Sequence, residues 1–244
     1  MPKINRLVMK FGGTSVGTGK RISDVAEIVR RNRAPGTVVV TSAMAGVTNG
    51  LVEMANTVVT GIAEEEIKGF VGDVREKHLT TIEEAVSPDH RELGIIEVER
   101  LCMELEKGLV GVSYVGELTP RSMDYIMSFG ERLSAPIVSG ALCSLGIKSR
   151  WFTGLEAGIV TDSNFGKAQP LWKIANKRIK KVLLPEMRNG IPVVTGFVAG
   201  DKEGRITTLS RGGSDYTAAI LGAALEAEEI WIWTDVDGMM TTDP

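Results

Sequence analysis

Lys10 is followed by Gly12, Gly13, Thr14 and Ser15 in the run RLVMKFGGTSVGTGK, residues 6–20. A cation, two residues without Cβ atoms and two hydroxyls are the parts of an anion cradle. Backbone can approach a ligand closely there, while amides and hydroxyls donate to it. Neither common phosphate loop accounts for the run. Counted back from Gly19–Lys20, Thr14 takes the first glycine position of a Gly-x4-Gly-Lys-Ser/Thr loop, and Arg21 replaces the final hydroxyl. A dinucleotide Gly-x-Gly-x-x-Gly starting at Gly17 meets Ile22 where its third glycine belongs. The plainer alternative is a tight strand-to-helix turn beneath a solvated lysine.

TTLSRGGSDYTAA (207–219) repeats the design with Arg211, Gly212, Gly213, Ser214 and Asp215. Arginine holds a carboxylate or phosphate with two parallel bonds. Ser214 is placed to cap the following helix, and Asp215 suits the dipole of its first turn, which is also its plainest explanation. Two such loops in one chain suggest two anions side by side, a phosphate donor and an acceptor. Glu131, directly after Gly130 in SFGERLSAP, is either a carboxylate that pairs with a substrate amine or half of an exposed ion pair with Arg132. Ser42 and Thr48 in TSAMAGVTN suit a close-fitting polar pocket, and Thr234 and Asp235 end the last apolar run where a nucleotide base or ribose could be read.

The chemistry that is missing narrows the reaction. The sequence has no Gly-x-Ser-x-Gly elbow, no Cys/His pair and no spacing of metal ligands around His78 or His90. Cys102 and Cys143 sit in apolar helical contexts and read as buried small hydrophobes. A carboxylate acceptor is already an anion at neutral pH and needs no general base. It needs electrostatic relief as two anions are brought together, which Lys10, Arg211, two glycine loops and Mg²⁺ arriving with a nucleotide would supply. The inventory fits phosphoryl transfer to a carboxylate better than hydrolysis or redox work.

The elements that must position these groups alternate along the 244 residues. RLVMKF and TVVVTSAM read as buried strands. Ile22, Val25, Ala26 and Val29 mark a helix between them, making a β–α–β unit with parallel strands. Residues 47–145 read as mainly helical, with stripes at Leu51, Met54, Ala55 and Val58, at Ile67, Val71, Val74 and His78, and at Leu101, Leu105 and Leu109. Ser87 before Pro88 is a helix-start signal. IKSRWF and GIVTD are short strand candidates, 171–189 is a helix, IPVVTGF a strand, VAGDKEGRITTLS a hairpin turning at Asp201–Gly204, SDYTAAILGAAL a helix and EIWIWTD the last strand. The pattern predicts one α/β domain over 1–244, a three-layer αβα sandwich on a mainly parallel sheet. A net charge of −3 without a basic stripe argues against nucleic acid, and no apolar run approaches the ~18 residues of a membrane span. With no signal-peptide pattern at the start, the expected location is the cytoplasm.

VMKFGGTSV (8–16), TSAMAGVTN (41–49), SFGERLSAP (128–136), TTLSRGGSDYTAA (207–219) and WTDVDG (233–238) together resemble the aspartate kinases of the amino acid kinase superfamily, in order and spacing, over essentially the whole chain. The resemblance implies the amino acid kinase fold and ATP- and Mg²⁺-dependent phosphorylation of the L-aspartate side chain to 4-phosphoaspartate, toward lysine, threonine and methionine. It implies catalytic roles for Lys10 and Asp215, the lysine against the transferring phosphates and the aspartate orienting it. Gly12, Gly13, Thr14 and Ser15 would complete the donor loop. Arg211, with Gly212, Gly213 and Ser214, would hold the α-carboxylate of aspartate, Glu131 its amine, and Ser42 and Thr48 would line the pocket. Thr234 and Asp235 would contact the nucleotide; Met240 stands where the family commonly has tyrosine. Homodimers or larger assemblies are the family habit.

In the family the catalytic domain continues past the point matching Pro244, with an arginine, the rest of the nucleotide side and paired ACT domains. The expectation for these 244 residues alone is therefore a catalytic domain truncated at its C-terminal end, with weak kinase activity or none. Other kinases of this fold, acting on acetylglutamate, glutamate or UMP, are the first alternative. A non-catalytic ligand- or subunit-binding fragment is the second.

Overall fold

A computed structural model describes residues 6–210 and 212–234. Among them, five strands form one sheet in the order β3-β4-β2-β1-β7, with every pairing parallel. They are β1 (Arg6–Phe11), β2 (Gly36–Thr41), β3 (Ser149–Phe152), β4 (Ile191–Thr195) and β7 (Glu229–Trp233). A separate antiparallel hairpin pairs β5 (Val198–Gly200) with β6 (Ile206–Thr208). Its turn falls at Asp201–Gly204, where Gly204 takes a φ of 79° and Asp201 Oδ1 accepts from the amides of Glu203 and Arg205.

Parallel strands need crossovers, and crossover helices bury both faces of the sheet. Leu7, Met9 and Phe11 of β1 face one core, with Val39 and Val193. Val8 faces the other, with Val38, Val40 and Val194. The first core is closed by α1 (Gly19–Asn32), α2 (Val47–Val58), α3 (Glu64–Ala85), α4 (Glu92–Val115) and α6 (Phe129–Ser144), and the second by α7 (Trp172–Asn189) and α8 (Gly213–Leu225). The expected three layers are present. The predicted helical stripes point inward: Ile22, Val29, Leu51, Leu101, Leu105 and Leu109 are fully buried. His78 is buried on its stripe, its Nδ1 donating to the Val74 carbonyl at 2.6 Å. Cys102 is buried and Cys143 half-buried.

One local expectation holds only in part and another fails. Ser87 stands at the N-cap with Pro88 in the first turn, but the helix it starts is a single 3₁₀ turn, Pro88–His90, without a side-chain cap bond, and α4 begins only at Glu92. Arg91 intervenes because its guanidinium is committed to α3, donating to the carbonyls of Val86 and Glu83. GIVTD is not a strand but makes two isolated bridges, Val160 with Gly200 and Thr161 with Pro170. Gly158, at a φ of 99°, bends this segment against α7, where a Cβ would lie 2.6 Å from the Ile179 amide nitrogen.

An eight-residue helix, α5 (Pro120–Met127), runs into α6 with Ser128 the only interruption, and Thr119 caps its start. This helical run carries Glu131 toward the carboxyl ends of the strands. Ligands of open α/β sheets bind at those ends.

Candidate active site

Lys10 lies near the end of β1, one strand in from the sheet edge, between Val40 of β2 and Ile232 of β7. A lysine in that position must find a charge partner, because only 8% of it is exposed. Its Nζ meets Asp215 Oδ1 at 2.7 Å. Asp215 sits in the first turn of α8, and the two glycine loops are thereby joined across a cavity of about 360 Å³.

The cavity is lined by Lys10, Gly13, Ser42, Thr48, Glu131, Gly212, Gly213, Ser214 and Asp215, nine of the residues singled out from sequence. Gly13 earns its place sterically, since a Cβ there would come within 2.9 Å of the Ala43 carbonyl. Gly12 is less constrained, with its nearest contact 3.5 Å from Lys10 Nζ, and its amide donates to the Trp233 carbonyl. Thr14, Ser15 and Thr234 face a neighbouring cavity of about 300 Å³, walled by Phe11, Val25 and Trp233, with Arg21 at its side. Arg211, Asp235 and Met240 lie outside the described residues.

Glu131 is the unusual member. It is not half of an exposed pair: it is 4% exposed, and Arg132 turns away to Glu104 at 2.7 Å and stacks over Phe129. One oxygen of Glu131 accepts from the Ala43 amide at 3.2 Å, and the other has no partner. Burial pushes its pKa up to about 8, against the smaller opposing pull of backbone donors. Gly130 allows this approach, because a Cβ there would lie 2.7 Å from that of Ala43. Ser134, one turn on, donates to the Ser42 carbonyl at 2.7 Å and ties the same loop to α6.

The helix ends differ from expectation. Residues 13–18 make turns, α1 starts at Gly19 under a Thr18 cap, and the Gly19 amide donates to Glu84 at 3.2 Å. The positive end of α1 is thus answered within the protein rather than by a ligand. Ser214 is not the cap of α8. Gly212 is, in the left-handed conformation with a φ of 80°, leaving the first amides of α8 beside the cavity.

Sequence reasoning missed Phe197, Met44 and Asn49, which also line the cavity. Phe197 adopts a φ of 62°, its amide held by Thr217 Oγ1 at 3.0 Å and its carbonyl by the Leu209 amide at 2.8 Å. Gly213 leaves room for its ring, since a Cβ there would be 2.6 Å from Phe197 Cδ2. A strained aromatic residue has no periodicity signal; IPVVTGF reads as one strand, whereas β4 ends at Thr195 and Phe197 lies beyond it at a positive φ.

The sequence profile of the amino acid kinase family matches residues 5–244. The chain belongs to the amino acid kinase family. Within that family it is 36% identical over 97% of its length to aspartokinase 1 of Arabidopsis thaliana, and 35% identical over 98% to the aspartate kinase of Pseudomonas putida. It spans 41% and 44% of those two proteins, respectively. Escherichia coli aspartokinase III, solved with aspartate and ADP, superposes with a TM-score of 0.88 at 32% identity, covering 98% of this chain and 51% of that one. Among the described residues, no helix of this family member is long and apolar enough to cross a membrane.

Proposed function

We propose that the chain carries the aspartate-binding and phosphate-binding parts of an aspartate kinase, which moves the γ-phosphate of ATP to the side-chain carboxylate of L-aspartate. The relatives named above, and an aspartokinase solved with aspartate and ADP, support this reading. The observation that carries it is the unpartnered Glu131 oxygen in the same cavity as the Lys10–Asp215 pair. A buried carboxyl with a pKa near 8 gains its counter-charge from a substrate ammonium. Acetylglutamate carries no such charge, which favours a free amino acid over that alternative.

In this reading the amine docks at Glu131 and the α-carboxylate at the second glycine loop, with Arg211. The side-chain carboxylate then points toward Lys10, already ionised, so attack on phosphorus needs no base. Lys10 is held by Asp215 in one orientation, and it and the positive end of α8 offset the charge gathering between two anions. Mg²⁺, bound with ATP, neutralises phosphate charge. Among the described residues no group of three acidic, histidine or cysteine side chains is placed to hold an ion. Thr14, Ser15, Thr234 and Asp235 would serve the nucleotide.

The test is hydroxamate trapping of the acyl phosphate with aspartate, ATP and Mg²⁺, for the chain and for Lys10→Ala. Product that falls about 10²-fold or more in the variant is the expected result. An unchanged rate in Lys10→Ala, or a preference for acetylglutamate, refutes the assignment.

A further inference from the structure

Asp124 is completely buried on α5 and absent from the cavity lining. Its carboxylate accepts from the Thr208 hydroxyl at 2.6 Å, from the Thr208 amide at 3.0 Å and from the Gly166 amide at 3.0 Å. Desolvation raises its pKa while these donors pull the other way. Most buried carboxylates of this kind simply staple a core. The position of this one says more.

Asp124 precedes Glu131 by seven residues on the near-continuous α5–α6 run, joined through the Ser128 amide to the Asp124 carbonyl and the Arg132 amide to the Ser128 carbonyl. Seven residues are about two helical turns, so both carboxylates lie on one side of the run, about 10 Å apart along its axis. Glu131 holds the loop after β2 through the Ala43 amide. Asp124 holds Thr208, the end of β6, from which the chain passes directly into the second glycine loop. The next residue, Leu209, donates to the carbonyl of Phe197, whose ring walls the cavity.

We infer that Asp124 is a positioning residue for the acceptor: by locking β6 to the helical run that bears Glu131, it sets the separation between the amine site and the second glycine loop. This rests on the aspartate reading above. On the donor side Lys10 and Gly12–Gly13 are carried by β1, and they meet the second glycine loop through the Lys10–Asp215 pair.

The substitutions that test it are graded. Asp124→Ala removes every bond. In Asp124→Asn the carboxamide oxygen still serves the two amides while its NH₂ faces the Thr208 hydroxyl, which can accept. Thr208→Val deletes only the hydroxyl bond, and Thr208→Ser keeps it. Calorimetry with aspartate and, separately, with ADP should show aspartate affinity falling about tenfold or more in Asp124→Ala. The loss should be smaller in Thr208→Val and Asp124→Asn and absent in Thr208→Ser, with ADP affinity unchanged throughout. Hydrogen exchange of the Gly212–Asp215 amides, without ligand, should accelerate in the same order. Lower thermal stability with unchanged aspartate affinity and unchanged loop exchange overturns the inference, as does a parallel fall in ADP affinity. If Asp124→Ala does not fold, the Thr208 pair and Asp124→Asn decide. Failure of the unmodified chain to bind aspartate would sink the functional reading alone, and the exchange order would still judge Asp124.

Discussion

Replacing Glu131 by glutamine should change both how tightly aspartate binds and how that binding responds to pH. In the free protein the group sits at about 8, so at about pH 7 roughly 0.9 of the molecules carry its proton. An arriving ammonium needs the ionised form, and binding must expel that proton. Breaking a buried ion pair costs about 3–5 kcal/mol. Ionising Glu131 one unit below its pKa recovers about 1.4 kcal/mol of that. The remaining ~1.6–3.6 kcal/mol means that the variant should bind aspartate about 15- to 450-fold more weakly near pH 7. The assay is titration calorimetry in buffers of different ionisation enthalpy. The native chain should release close to one proton per aspartate near pH 7 and fewer above pH 8, whereas Glu131→Gln should release none.

Stability supplies a ligand-free check. The folded pKa lies above the ordinary value of 4.5, so the fold binds the proton more tightly than the unfolded chain. That stabilisation is fully present below about pH 4.5 and is lost as pH rises through about 8, on the order of 5 kcal/mol in all. Glu131→Gln should lack this component over the window and be more stable than the native chain at its alkaline end. Proton-neutral aspartate binding near pH 7, or an undiminished affinity in the glutamine variant, would refute the argument.

Other substitutions test the frame. Gly13→Ala should lose about 1–3 kcal/mol in denaturant melts and most activity, because its Cβ meets the Ala43 carbonyl at 2.9 Å, whereas Gly12→Ala, with only ordinary contacts, should stay within ~0.5 kcal/mol. A melt showing Gly12→Ala the more damaging would reverse the assignment of the close approach. His78, held neutral by burial with its pKa down to about 4, contributes stability above its ordinary value of 6.5 that is lost as pH falls toward 4. The His78 contribution should fall by about 3 kcal/mol across that interval, against the opposite trend from Glu131, and His78→Leu should remove this component from the pH profile. An identical profile in the variant would count against a buried neutral imidazole.

Much of this molecule was legible from local pattern. β-Branched runs marked the strands, and the buried face of α1 followed from Ile22, Val25, Ala26 and Val29. The paired glycine loops named the chemistry, because close backbone approach and a nearby cation are properties of a few adjacent residues. Local rules placed Ser87 at a helix start that proved to be a single 3₁₀ turn, and misplaced Ser214 as a cap. A neighbouring residue starts the longer helix in each case: α4 follows Arg91, whose guanidinium is committed to α3, and α8 follows a left-handed Gly212.

What the residues alone determined was the inventory: a lysine and an arginine beside double glycines, acidic residues after Gly130 and after Gly213–Ser214, and a parallel α/β order. Only the tertiary structure decided which of them meet. Lys10 reaches Asp215 because β1 and α8 are packed together, although they come from opposite ends of the chain. Glu131 is buried rather than solvated because Gly130 lets α6 close on the loop after β2, and that burial turns an ordinary glutamate into one that waits for an ammonium. Desolvation depends on every neighbour at once, and no window of sequence contains them.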